Sequence, residues 1–272
     1  MTATLSDFTV SRDFNIQEVE KCLRTHGAAV LPAWLGDSEL TFLRQEFDDA
    51  IADSDERYAY QIKYEPGHAV SMMRDRLPAD KYRGINRIFN SKKMVELTQR
   101  YMGSQHLLNY EVYATHEHRP GVDVAPTHFD KLWTLKYMIY LTDNTSQNAA
   151  FGVVPGSAPS NREKFRKIYT ENNIRRLSMD DERYQEMENK SSDEAEVVDI
   201  VGPAGTLVIF DSDVFHHAGQ VSAGMERKIL RGHSGPAINY VSVRKGSQQW
   251  WRGERAFTKL DIFKDRIMNC FS

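Results

Sequence analysis

His128-Phe129-Asp130 sets an imidazole and a carboxylate two residues apart, and His216 and Arg227 follow far downstream. Two imidazoles and one carboxylate are the ligand set with which non-haem Fe(II) oxygenases hold their metal on one face, leaving positions open for a co-substrate and O₂. Arg227, eleven residues past His216, suits a partner for a dicarboxylate. Its planar guanidinium can grip one carboxylate through two parallel hydrogen bonds. Together these residues point to chemistry in which Fe(II), 2-oxoglutarate and O₂ meet.

A His-x-Asp pair converges on one ligand only if it lies on a strand, where residues i and i+2 share a face. Ala125-Pro126-Thr127 before the pair and the apolar run from Leu132 to Leu141 after it suit that placement. The competing reading is a surface His and Asp near a turn. Downstream, Gly205-Thr-Leu-Val-Ile-Phe210 reads as a short buried strand opened by a glycine turn. It runs into Asp211 through Gln220, and Arg227 to His233 reads as a returning strand. The adjacent His216 and His217 must point to opposite faces, so only one can be a ligand. A regular strand would put His216 with Phe210, Ser212 and Val214, and His217 with Asp211, Asp213 and Phe215. Arg231 shares a strand face with Arg227 and reads either as a substrate anchor or as a buried ion-pair partner.

The chain resembles the phytanoyl-CoA dioxygenase-like family of Fe(II)/2-oxoglutarate oxygenases. The resemblance rests on His128-Phe-Asp130, on Gln147 through Ser157 with its Val-Pro155-Gly156-Ser157 ending, and on Gly205 through Arg227. Ala149 and Ala158 stand where that family's pattern has Gly and His. The likeness spans most of residues 15 to 235. It implies a mainly β fold with flanking helices, a double-stranded β-helix (jelly-roll, cupin-like) core with helical and loop lids. It also selects His216 as the third ligand and Arg227 for the far carboxylate of 2-oxoglutarate. The hydroxyl that relatives often carry two residues past the ligand His is replaced by Ala218, so Thr134 and Tyr113 become the candidate co-substrate donors. The implied activity is hydroxylation of an aliphatic C–H of a small molecule, releasing succinate and CO₂. Desaturation, epoxidation and ring formation are alternatives on the same cofactors, and a non-catalytic jelly-roll binding protein and a Zn²⁺ hydrolase are the remaining readings. The carboxylate at Asp130 argues against a halogenase, in which halide takes that ligand position.

The 272 residues suit one domain, and a 40% hydrophobic content supplies a sizeable core. Lys and Arg number 35 against 38 Asp and Glu, and without a basic stripe nucleic acid is not the expected partner. No basic leader or membrane-length apolar run occurs, which suggests a cytoplasmic protein, monomer or homodimer. Cys22 and Cys270 read as free thiols. Apolar spacing predicts N-terminal helices within about 15–53 and a C-terminal helix over about 254–271. Residues 57–92, rich in Tyr, and 160–196, basic and then acidic, are candidate lids or simply surface segments. His116 and His118 form a second i, i+2 pair, read as strand residues with hydrogen-bond roles and not as another metal site.

Overall fold

The computed structural model describes residues 3–53, 55, 57–73, 77–103, 106–130, 134–171 and 196–236. The expected helix at 254–271, Cys270 and the acidic part of 160–196 lie outside them. Helices α1 (Ile16–His26) and α2 (Asp37–Ala52) flank strand β1 (Ala28–Leu31). Asn15 caps α1 by accepting from the Gln17 and Glu18 amides, and Gly27 ends it with φ of +79°, a region that costs glycine little. Helix α2 has no side-chain cap hydrogen bond. Gly36 is the N-cap, and Asp37 and Glu39 occupy the first turn, where the helix dipole favours acids.

Strands β2 (Ala59–Ile62) and β3 (Gly67–Met73) come next, then helices α3 (Arg83–Phe89) and α4 (Lys92–Met102). Strands β4 (His106–Glu117), β5 (Asp123–His128), β6 (Leu135–Tyr140) and β7 (Phe151–Val153) lead to helix α5 (Ala158–Glu171). Strands β8 (Val198–Ile200), β9 (Leu207–Asp211), β10 (His216–Gln220) and β11 (Arg227–Pro236) complete the described chain. All these strands pair antiparallel, in a seven-stranded sheet of order β1-β9-β6-β11-β4-β3-β2 and a four-stranded sheet of order β5-β10-β7-β8. Residues 57–92, given above as a candidate lid or surface segment, supply α3 and strands β2 and β3, with β2 at the edge of the larger sheet.

Strand alternation sorts the larger sheet's side chains into two cores. Tyr137, Ile139, Ile209 and Leu230 face outward and pack with Leu23, Leu43, Phe47 and Leu97 of the helices. Met138, Tyr140, Val208, Phe210 and Ile229 face inward and meet Phe151, Val153 and Ile200 of the smaller sheet. By the same alternation Lys136, Arg227 and Arg231 share the inner face with these apolar residues. Charges in that position need partners, because an unpaired buried charge is costly.

Candidate metal centre

His128 ends β5, His216 begins β10, and the two are direct partners in the antiparallel register. Their ring centroids are 4.4 Å apart. Asp130 lies two residues on, its amide donating to the Ser212 carbonyl at 2.8 Å. Its carboxylate oxygens lie 3.7 Å from His128 Nε2 and 3.4 Å from His216 Nε2. One donor atom from each of the three lies within 4.8 Å of the others, and among the described residues this is the one such group.

Each imidazole is oriented in the same way. His128 Nδ1 is 2.7 Å from the Pro126 carbonyl, and His216 Nδ1 is 2.8 Å from the Val214 carbonyl. A carbonyl only accepts, so each Nδ1 carries the proton and each Nε2 lone pair is free for a metal. Burial among Phe151 and Phe210 lowers the His216 pKa to about 4, keeping it neutral. Burial also works against the charged form of His128, yet the Asp130 carboxylate prevails and raises its pKa. For Asp130, burial alone would favour the neutral acid. Lys136 and the two imidazoles outweigh it and hold the carboxyl well below the usual carboxylate range. The site is thus an ionised carboxylate beside a neutral imidazole, a donor set suited to a divalent transition metal.

His217 turns away and meets Asp199 at 3.1 Å. The chain does not run as a regular strand from Phe210 to His216. A turn closed by the Val214 amide on the Asp211 carbonyl intervenes, and β10 starts afresh. Asp211 and Asp213 are buried and bound by Arg162 of α5, with the Asp213 contact at 2.7 Å, and Tyr101 donates to Asp211 at 2.7 Å. This ionic knot fixes the turn that delivers His216.

Lys136, buried on β6, was not singled out by the sequence reading. Its ammonium donates to Asp130 Oδ2 and lies 5.6 Å from the Phe210 ring centroid. A signal was present, a lone charge inside the Leu132–Leu141 apolar run.

Arg227 opens β11 at 2% exposure. Its Nε donates to Glu117 Oε2 at 3.1 Å and its Nη1 to the Ala149 carbonyl, while Tyr64 donates to the other Glu117 oxygen at 2.8 Å. Ala149 holds a φ of +60°, the left-handed region that glycine occupies with least strain. The Thr134 hydroxyl is buried without a hydrogen-bond partner beside this centre, and its amide is fixed on Ser212 Oγ at 3.0 Å. Tyr113 stacks on His233 at 4.9 Å, farther along the inner face. His116, on β4, pairs with Glu226 at 2.7 Å and packs against His118, which lies just past the end of that strand, and both stand outside the centre.

A two-sheet antiparallel barrel with a His-x-Asp…His cluster at one end belongs to the class of non-haem Fe(II)/2-oxoglutarate dioxygenases. Within that class, the chain belongs to the phytanoyl-CoA dioxygenase (PhyH) family, whose profile matches residues 23–229. No curated protein sequence matches it. Among solved structures it resembles the epimerase SnoN from nogalamycin biosynthesis in complex with Fe³⁺, α-ketoglutarate and nogalamycin RO, with a TM-score of 0.60, 15% identity, and coverage of 82% of this chain and 84% of that one. The carbocyclase SnoK from the same biosynthesis aligns with a TM-score of 0.59 and 16% identity over 89% and 93% of the two chains. EctD from S. alaskensis with 2-oxoglutarate and 5-hydroxyectoine gives 0.58 and 15% over 81% and 76%. No helix among the described residues is long and apolar enough to cross a membrane.

Proposed function

We propose that this family member hydroxylates an aliphatic C–H bond of a small molecule, using Fe(II), 2-oxoglutarate and O₂. The observation that carries the reading is the convergence of His128, Asp130 and His216 with both Nδ1 atoms tied to backbone carbonyls. The two Nε2 atoms and one Asp130 oxygen would hold Fe(II). Bound there with 2-oxoglutarate and O₂, the metal supplies the oxidising power for an unactivated C–H bond, with succinate and CO₂ as co-products.

The side chains supply orientation and charge. Lys136 keeps Asp130 ionised and holds its Oδ2, the oxygen nearer His216. Arg227 offers its Nη2 edge to the far carboxylate of 2-oxoglutarate, because Nε and Nη1 are already taken by Glu117 and Ala149. The buried Thr134 hydroxyl and Tyr113 are further donors to the co-substrate. Phe151, Phe210 and Phe215 exclude water around His216 and Phe129, which strengthens each electrostatic contact. A second outcome on the same residues is rearrangement after hydrogen removal, kept in view because SnoN is an epimerase and SnoK a carbocyclase.

Anaerobic titration of metal-free protein with Fe(II) and 2-oxoglutarate tests this reading through the visible charge-transfer band of the chelate. The band should form in the wild type and in His217→Ala, and disappear in His216→Ala. Arg227→Ala should weaken 2-oxoglutarate by on the order of 100-fold, as for loss of a buried charge partner. A wild type that binds Fe(II) but forms no band overturns the assignment.

A further inference from the structure

Among the described residues, Arg231 is the inner-face cation that the site leaves over. Arg227 is matched by Glu117 and Lys136 by Asp130. Arg231 lies opposite Tyr113 on β4 and Met138 on β6, its guanidinium carbon 5.5 Å from the Tyr113 ring centroid. Its Nε is buried without a hydrogen-bond partner, and among the described residues no carboxylate pairs with it. The aromatic ring holds the guanidinium in place without neutralising it. Lys136 and Tyr64 are both close enough to feel its charge.

Charge bookkeeping then constrains what enters. Among the described side chains of the inner face, three cations, Arg227, Arg231 and Lys136, meet two carboxylates, Glu117 and Asp130. Under the function proposed above, a metal dication and the 2-oxoglutarate dianion cancel. Arg231 is then the cation left without a counter-charge among the described residues, and an uncompensated buried charge is disfavoured. A strand position this near the metal ligands, two residues on β6 from the Lys136 level, is within reach of a bound substrate.

We propose that Arg231 anchors a carboxylate of the primary substrate, so that this enzyme acts on a small organic acid. This inference rests on the Fe(II)/2-oxoglutarate reading. The guanidinium grips the acid end and holds the remainder of the molecule beside the metal ligands, which makes Arg231 both a binding and a specificity residue.

Benzoate and its neutral isostere benzamide are suitable probes, added anaerobically to the Fe(II)·2-oxoglutarate protein. Thermal unfolding and the position of the charge-transfer band are read for wild type, Arg231→Gln and Arg231→Lys. Benzoate should raise the unfolding temperature and shift the band where benzamide does neither. Arg231→Gln should weaken benzoate by on the order of 30-fold or more, as expected for loss of a charge partner, with Arg231→Lys in between. Both variants should retain 2-oxoglutarate affinity near that of the wild type. Loss of the band in Arg231→Gln would instead assign the residue to the co-substrate. Equal responses to benzoate and benzamide in the wild type would also overturn the proposal. Absence of any band in the wild type would sink the functional reading, and this inference with it.

Discussion

At the scale of single residues, the site is built on pairs whose second member decides what the first can do. Arg227 is a free cation in the sequence but half of a buried pair with Glu117 in the fold. Removing one partner of such a pair costs roughly 3 kcal/mol, because a buried charge is left without its counter-charge. Glu117→Gln should therefore destabilise the metal-free protein by about that amount in denaturant melts. The carboxylate of 2-oxoglutarate can replace the missing charge, so saturating co-substrate with metal should protect the variant more than the wild type. Equal thermal shifts for the two proteins would show that Arg227 does not receive that carboxylate. His128, His216 and Arg227 were legible as residues at strand ends, with Asp130 just past the end of β5. Glu117 and Lys136 were not. Glu117 meets Arg227 through lateral strand pairing, and Lys136 of the larger sheet reaches Asp130 just past the end of β5 in the smaller one, relations that linear spacing does not record.

At the scale of elements, the site depends on how tightly β7 and β10 approach. Gly152 faces His217 across that pair, and a Cβ built on it would lie 2.4 Å from His217 Nε2 and 2.6 Å from Val197 Cγ1. Gly152→Ala must push strands apart next to Val153, the residue paired with His216. A cost of about 1–3 kcal/mol is expected for such overpacking. In a His217→Ala background part of that cost should vanish, leaving the Val197 share. An unchanged cost across the double-mutant cycle would place the strain elsewhere. Helices α1 and α2 were readable from their apolar spacing, since each buries one stripe on the sheet. The roles of β2 and β3 were not, because β2 is only four residues long and the tyrosines around it suit an edge strand and a surface loop alike. The turn between β9 and β10 was also hidden. It left His216 facing the site for a different reason than continuous alternation would supply, namely the Asp211–Asp213–Arg162 knot.

At the scale of the whole molecule, the helical layer is tied to the sheet edge by one carboxylate. Asp53, at the end of α2, accepts from Tyr82 at 2.6 Å, Lys81 at 2.7 Å, Tyr58 at 2.9 Å and the Asp55 amide at 3.0 Å. Burial by itself would favour the neutral acid, but these donors outweigh it and hold the pKa far below the usual carboxylate range. The unfolded chain then takes up the proton first as pH falls. Stability from Asp53 is accordingly complete above about pH 4 and is lost progressively below it. The two ligand imidazoles add opposite slopes at higher pH. Neutral, buried His216 disfavours folding as pH drops from about 6.5 toward its folded value of about 4, whereas the raised pKa of His128 favours the folded form on its acid side. Comparing wild type with Asp53→Asn removes both histidines from the balance. The variant should be less stable at neutral pH by roughly 1–3 kcal/mol, the loss of charge-assisted hydrogen bonds. That gap should narrow as pH falls from about 4 toward 2, when the wild-type carboxyl is itself being protonated. Urea melts of the metal-free proteins across this range measure it directly. A gap that stays constant below pH 4 would mean that the Asp53 cluster holds the helices by packing and neutral hydrogen bonds, and that its charge contributes nothing.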